Sequence, residues 1–480
     1  MNEIRRDTLE KQMTFKDYFF LAFGIYAGVG WVTTIQAWLS DGPGAGMLGF
    51  ALCGILLIPV GLVYNELTLA LPVTGGSVAF AYRAFGKFSG TITGWFLALG
   101  YIMVCPLEAV SVAMIIDYMF PVLNVLPLYE VMGFTIYLPS VIIGVAFTLF
   151  ISALNYFGVQ PSKVFQTITA STIGLIVIGL MVTVLFKGDF GNLQPIFSPD
   201  KSPVLATLAV LGLAPFYLAG FEAIPQMAEE AKDSKSAKRI GKAMIMAIIV
   251  GIFFYSGVTF MVSMSAPWQD TIQQFLPTAY AFETTFGSGV KMVVLAACFF
   301  GLLSTWNGCL MAGSRALFAM GRGRLLPKFF GEAHPKYKTP YKPVIAIGIL
   351  TAIAPFIGKP VLLPVMNVGS FAFVVAWFMV CISAIKLRKS EPDLNRPYKM
   401  PGGLTIPIIG TIICGLIGLS MLIPGAPAAL AWPVEWIVLA IWIVLGVICW
   451  YIVSKGVGKE VTDQQQRYLF FGDLDKENKK

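Results

Sequence analysis

Two carboxylates and two stretches of weak backbone lie inside runs of the chain that are otherwise apolar. Glu108 stands in Pro106-Leu107-Glu108-Ala109, and Glu222 in Ala214-Pro215-Phe216-Tyr217-Leu218-Ala219-Gly220-Phe221-Glu222-Ala223-Ile224-Pro225. An acid surrounded by hydrocarbon is costly, and by default it marks a function. Glu108 has three readings: a proton carrier with a raised pKa, a contact for a cationic substrate, or a protonated acid hydrogen-bonded to a neighbouring helix. Glu222 follows a helix interruption. It can accept from main-chain N–H groups freed there, or carry a proton.

The backbone stretches are the second source of chemistry. Gly24-Ile25-Tyr26-Ala27-Gly28-Val29-Gly30 places three glycines in seven residues. Each glycine weakens a helix by about 1 kcal/mol relative to alanine. The stretch around Glu222 holds two prolines and a glycine, which interrupt a helix by removing donors and by clashing. Unwound main chain at membrane depth is tolerated only where it lines a cavity or is buried in protein. Glycine also serves close helix packing, but two interruptions at corresponding places in two halves of a chain point to a transporter's binding site.

The elements that must position these groups follow from composition. Of 480 residues, 57% are hydrophobic and 12% charged, where soluble domains carry about 25% charged residues. With a mean hydropathy of +0.76, the polar surface cannot cover a water-soluble globule. Apolar runs long enough to cross the bilayer recur, and in lipid such runs must satisfy their own backbone as helices. Twelve span cores are expected at 17–40, 46–70, 90–119, 136–157, 164–186, 204–229, 241–265, 290–320, 342–358, 363–386, 404–423 and 434–454.

The loops give the orientation. Arg83, Lys87, Lys163, the cluster Lys232–Lys242, the group from Arg322 to Lys338 and the group from Lys386 to Lys399 fall on one side with both termini. The opposite loops carry Asp41, Glu130, Lys187, Lys201 and Lys359. The excess of base places both termini in the cytoplasm of a multi-pass cell-membrane protein. The interrupted spans, first and sixth, each open a set of five. The expected organisation is an N-terminal segment 1–15, five spans in 16–189, five more in 203–390, two in 403–455, and a tail 456–480 whose polar part, 461–480, reads as disordered. Five is odd, so the two sets insert with opposite orientation.

Other functions lose support. All seven cysteines lie in apolar runs without a CxxC pair, and the single histidine, His334, lies in a basic loop; neither a metal or redox centre nor intramembrane histidine catalysis fits. The net charge of +8 sits in short loops, and nucleic acid is not an expected partner. No GxxxxGK[ST] appears, no repeated filter loop, and no polar catalytic cluster of an enzyme. The first apolar run, after Arg5, Arg6, Lys11 and Lys16, is longer than a signal core and lacks a cleavage pattern.

At these residues the chain resembles the amino acid–polyamine–organocation permease superfamily. Gly28-Val29-Gly30 is similar to that family's Gly-Ser-Gly turn, with valine for serine. Tyr64-Asn65-Glu66-Leu67, Leu71–Ser77 and Arg83-Ala84-Phe85-Gly86 resemble its helix 2 to helix 3 link. Gly220-Phe221-Glu222 with Ala228-Glu229-Glu230, and Ala312–Arg315 through Leu325-Leu326-Pro327, resemble its helix 6 signature and the end of its helix 8. Together these cover most of residues 15–345.

The resemblance implies an all-α polytopic protein of twelve spans. The fold would be the 5+5 inverted repeat first seen in bacterial leucine transporters, with helices 1 and 6 discontinuous. It implies a secondary active transporter of a small amino acid, proton-coupled or exchanging, working by alternating access. An amine or polyamine permease and a non-transporting nutrient sensor stay open.

The N–H groups of Gly28, Val29 and Gly30 would receive a substrate carboxylate at a positive helix end. The carbonyls of Ile25, Tyr26 and Ala219, beside Gly220, would receive an ammonium, and Phe216 would close the pocket. Val29 and the following Trp31 bear on the room left for a carboxylate, so an amine lacking one stays open. Glu108 is similar to a Leu-Glu-Tyr segment of cationic amino acid permeases. Some relatives carry a lysine in helix 5 in place of sodium; here the stretch reads Thr169-Ala170-Ser171-Thr172, and Ser304 and Thr305 become the sodium candidates. No cofactor is implied, the coupling ion being H+ or Na+. No disulfide-linked heavy chain is expected, since residues 120–135 lack cysteine. Glu66 is expected near Arg83 as a loop anchor, and Asp117 is expected to be solvated.

Overall fold

A computed structural model describes residues 6–120, 123–426, 429–456, 461–472 and 474; Arg5 lies outside these. The chain is built almost wholly of helices: α1 (Phe15–Tyr26), α2 (Gly30–Thr33), α3 (Gln36–Leu39), α4 (Pro43–Ala70), α5 (Gly76–Phe85), α6 (Lys87–Met119), α7 (Leu138–Tyr156), α8 (Val159–Lys187), α9 (Pro203–Leu218) and α10 (Ala223–Gln226). There follow α11 (Ser234–Lys238), α12 (Ile240–Ser265), α13 (Trp268–Thr271), α14 (Pro277–Phe286), α15 (Ser288–Arg322), α16 (Tyr341–Ile353), α17 (Leu362–Ser390), α18 (Thr405–Leu422), α19 (Val434–Lys455) and α20 (Asp463–Phe471).

Among the described residues, ten helices are long and apolar enough to cross a membrane, α9 and α10 counting as one segment, Pro203–Gln226. Two expected spans fall outside that ten. The first is cut into α1, α2 and α3, and the ninth is the shorter apolar segment Tyr341–Phe356.

The all-α expectation meets one exception. Strands β1 (Pro127–Val131) and β2 (Phe134–Tyr137) form an antiparallel hairpin between α6 and α7. Its two-residue turn has positive φ at both Met132 (49°) and Gly133 (81°), which matches the twist of paired strands.

Packing separates a core from a lipid-facing rim. Helix α6 packs on both α15 and α17, α4 packs on α12 and α9, and α1 is lodged among α8, α12 and α15. The most apolar stretch of α6 is 83% buried, and that of α19 only 11%, so α19 is solvated by lipid chains while α6 is solvated by protein.

One end of the bundle carries a layer of ion pairs. Beyond α10, Glu230 takes Arg315 at 3.0 and 3.2 Å, both side chains buried. Glu229 takes Arg322 at 2.9 Å, Arg6 at 3.0 Å and the Thr74 N–H at 3.0 Å. Burial alone would raise the Glu229 carboxyl, but Arg322 and Arg6 outweigh it and hold its pKa at about 2. The segment before α1 lies against this turn, Gln12 and Met13 donating to the Glu230 carbonyl at 2.9 and 2.8 Å. Thr14 caps α1 reciprocally with Asp17, which lets the chain enter the bilayer with its first N–H groups satisfied.

Two expectations about charged groups change here. Glu66 is anchored by an arginine distant in sequence. It is chelated by Arg388 (2.9 and 2.5 Å) and takes the Met400 N–H at 2.8 Å, whereas Arg83 pairs with Glu391 at 2.8 Å. Asp117 is half-buried and accepts from the Leu123 N–H (3.1 Å) and Asn124 Nδ2 (2.9 Å).

The tail, expected to be disordered over 461–480, folds over its described part. Thr462 and Gln465 make a capping box for α20, and Leu469, Phe470 and Phe471 are buried. Phe470 stacks on Tyr82 at 4.5 Å between ring centres, and Gln466 Nε2 donates to the Gly323 carbonyl at 2.6 Å. The rest of that expectation lies outside the described residues.

Candidate functional site

The first break is built by what α1 cannot continue. Ala27, Gly28 and Val29 leave the helix between α1 and α2. Among the described residues no main-chain carbonyl accepts from the Gly28 or Val29 N–H. The carbonyls freed upstream are taken by side chains from other helices. Thr305 Oγ1 on α15 donates to the Gly24 and Ile25 carbonyls at 2.8 and 3.1 Å, and the Tyr255 hydroxyl on α12 donates to the Tyr26 carbonyl at 2.5 Å. Buried main-chain groups demand partners, and here hydroxyls meet the demand. Downstream, α2 is only four residues long. What this break offers a ligand is main-chain N–H groups that no carbonyl takes up, not the charged end of a long helix.

The second break, Ala219 to Glu222, separates α9 from α10. Gly220 adopts φ of +156°, and a Cβ there would meet the Ala22 carbonyl at 3.0 Å, so only glycine fits without strain. Its N–H donates to Glu222 Oε2 at 2.8 Å. This break therefore satisfies itself two residues on.

Between the breaks lies a cavity lined by Ile25, Tyr26, Gly28, Val29, Gly30, Phe216, Ala219, Glu108 and Thr305. The volume open to the centre of a water molecule is about 30 Å3, room for about two waters. Phe216 and Tyr217 meet edge to face, and Tyr217 links the two broken elements through its hydroxyl, 2.9 Å from Thr34 Oγ1. Trp31, expected to bear on the space after the turn, is fully buried against Phe254 and does not line the cavity.

Glu108 is 1% exposed and sits in the wall beside Gly28. A Cβ on Gly28 would meet Glu108 Oε1 at 3.1 Å and Thr305 Oγ1 at 2.8 Å. The Val29 main chain hydrogen-bonds its carboxyl, while Oε2 has no partner.

Not every expected residue lines the cavity. Gly220 and Glu222 lie behind the second break. Ser304 faces α8, where Gln166 Nε2 donates to it at 3.1 Å. Gln166 in turn accepts from Asn307 Nδ2 at 2.8 Å, and Asn307 Oδ1 accepts from Asn155 and Ser162 at 2.9 Å each. Both sodium candidates thus have protein partners, Ser304 in Gln166 and Thr305 in the Gly24 and Ile25 carbonyls.

The cavity also holds residues that sequence reasoning did not single out: Thr33, Thr34, Ser111, Tyr217, Tyr255, Met366 and Phe373. The one available signal was polarity within apolar runs, which Tyr255 and Thr34 share with many residues that only bond their own helix.

The sequence model of the amino acid permease family matches residues 13–449. The chain is 25% identical to the branched-chain amino acid permease of Bacillus subtilis (strain 168) over 466 residues, 93% of this chain and 94% of that protein. It is equally similar, 25% over 93% and 94%, to the methylthioribose transporter of the same organism. With the chloroplastic cationic amino acid transporter 7 of Arabidopsis thaliana it shares 27% identity over 86% of this chain and 71% of that protein.

Proposed function

Since the chain belongs to the amino acid permease family, and is thus a multi-pass membrane transporter of amino acids rather than an enzyme, we propose that it moves one small amino acid per cycle through the cavity between its two helix breaks. The observation that carries this reading is the meeting of both breaks around one space, with the Gly28 N–H, to which no main-chain carbonyl is paired, on one side and Phe216 on the other. Substrate would enter when α9 and the first break part on one face, and leave when α10 and α1 part on the other.

In this reading the ten long helices, the broken first span and Tyr341–Phe356 would make the twelve crossings of a 5+5 inverted repeat. The basic loops support a cell-membrane location with both termini cytoplasmic. Proton coupling or exchange is the reading kept ahead of sodium, because Ser304 and Thr305 already have protein partners in Gln166 and the Gly24 and Ile25 carbonyls. One observation favours a second reading, an amine or cationic substrate: among the described residues, Glu108 is the one carboxyl lining the cavity. The methylthioribose transporter among its relatives also argues that this architecture is open to cargo other than amino acids.

The test is uptake into proteoliposomes of labelled alanine, leucine and lysine, against cadaverine, under an imposed proton or sodium gradient. Accumulation of at least one amino acid, driven by protons or by internal amino acid and indifferent to sodium, is expected. Uptake of cadaverine alone would replace the reading with the second; a strict sodium requirement would remove the coupling argument.

A further inference from the structure

We propose that a second cavity, at the outer face, receives the amino acid before the central one does, with Lys359 meeting its carboxylate and Asp117 its ammonium. The inference rests on the reading above that the central cavity carries an amino acid.

Four separate segments make this second cavity. The outer end of α6 brings Asp117, the hairpin brings Phe134 and Tyr137, the loop before α14 brings Phe275, and the turn before α17 brings Lys359. The hairpin is fixed over that turn. The Tyr129 hydroxyl donates to the Phe356 carbonyl at 2.7 Å. Gly358, at φ of +72°, lies so close to the hairpin that a Cβ there would meet Ile136 Cδ1 at 2.5 Å. The volume open to the centre of a water molecule is about 340 Å3, against about 30 Å3 in the central cavity. The outer space therefore takes a whole amino acid with the helices as they stand.

Two opposite charges line this space without neutralising each other. Asp117 accepts from the Leu123 N–H at 3.1 Å and from Asn124 Nδ2 at 2.9 Å, one donor on each oxygen, and a carboxylate has lone pairs for more. Lys359 Nζ lies over the rings of Phe275 and Phe134, 4.7 and 5.4 Å from their centres. Phe275 is itself stacked on Tyr118 at 6.2 Å. The rings attract the ammonium but do not use up its three N–H donors. Among the described residues no carboxylate is in ion-pair contact with Lys359.

A free amino acid is the complement. Its two charges are opposite in sign and one carbon apart, so a single molecule set between Lys359 and Asp117 meets a partner at each end. A simple carboxylate or a simple amine meets only one. Position supports the same reading. Helix α6 runs from one cavity to the other, Ser111 lining the central space and its neighbour Val110 the outer one. From Glu108 to Asp117 the helix rises about 14 Å. Lys359 also stands on the face that is poor in base, where membrane orientation gives no reason for a cation.

The test is equilibrium binding of labelled alanine, leucine and lysine to the purified full chain and to three variants. For an amino acid that binds, two saturable components are expected, the weaker one at the outer cavity. Lys359→Gln and Asp117→Asn should each weaken that component about tenfold or more and leave the tighter one in place. Gly28→Leu should do the reverse, removing the tighter component and keeping the weaker. A single component in the wild type, or loss of all binding in Gly28→Leu, would overturn the outer site and leave the central one standing. A weaker component indifferent to Lys359→Gln would overturn the assignment too, and that side chain is exposed, so its variant decides the matter even if Asp117→Asn fails to fold. Binding that Gly28→Leu leaves whole but Lys359→Gln weakens would keep the outer site and sink the reading of the central cavity. Absence of any binding would overturn both.

Discussion

The two breaks solve the same problem in opposite ways. At the first, the freed carbonyls of Gly24, Ile25 and Tyr26 depend on hydroxyls brought by α15 and α12 from more than two hundred residues away. At the second, Gly220 is satisfied by Glu222, two residues on, and the turn that follows is pinned by guanidinium groups on Glu229 and Glu230. The first arrangement is neutral and assembled from several elements. Sliding α15 against α1 must break both bonds of Thr305. The second is local and charged, and travels as a unit. A break whose partners are distant can report and drive movement between helices; one that carries its own partner can act as a fixed corner.

The largest expected effect tests the charged side of this contrast. Arg315→Met leaves Glu230 buried without its partner, and the cost should be about 3–5 kcal/mol, read as a large fall in melting temperature in detergent, with little protein recovered. Acid probes the same layer. The Glu229 carboxyl is held at about 2, below its ordinary 4.5, so its contribution is complete above about pH 4.5 and is lost as pH falls toward 2. Melting temperature should drop across that window, and Arg322→Gln should flatten the drop. An unchanged acid limb would mean that the layer does not hold the turn.

Gly28→Leu should come next. Its side chain would enter the space of Thr305 and Glu108, lowering substrate affinity by about a hundredfold, near 3 kcal/mol, while the protein still reaches the membrane. Normal affinity would separate the first break from the binding site. Glu222→Ala is smaller. It strands the Gly220 N–H at about 1–3 kcal/mol, and it should lower stability far more than substrate affinity, since Glu222 lies outside the cavity. An affinity loss larger than the stability loss would dissolve the division of labour between the breaks. The mildest is Thr305→Val, at about 1 kcal/mol of stability. Its signature is a change in transport rate at saturating substrate, because only a moving contact alters turnover.

Much of this was legible in the sequence because it rests on local chemistry. Glycines at 24, 28 and 30 and the prolines at 215 and 225 weaken a helix whatever surrounds them, and the chain leaves the helix between them, at 27–29 and 219–222, while α6 runs unbroken through Glu108. What could not be read rests on pairings across long separations. Glu66 has Arg83 near in sequence but meets Arg388, 322 residues away. Thr305 is visible as a hydroxyl, but that it serves the carbonyls of α1 depends on how α15 packs. The polar tail looks like a solvated end. Its buried apolar residues, Leu469, Phe470 and Phe471, are taken into the protein because Tyr82 and Gly323 offer a seat for Phe470.

Arg6 reaches Glu229 beyond the second break and, with the same guanidinium, the carbonyls of Leu469 and Phe470 at 3.2 Å each. The earliest and latest described parts of the polypeptide are thereby knotted to one turn in its middle. A ribosome releases the last of these partners only after every span has been made. The turn after α10 must wait, with its full set of contacts incomplete, through the synthesis of more than two hundred further residues, so closure of this face is a post-synthetic event.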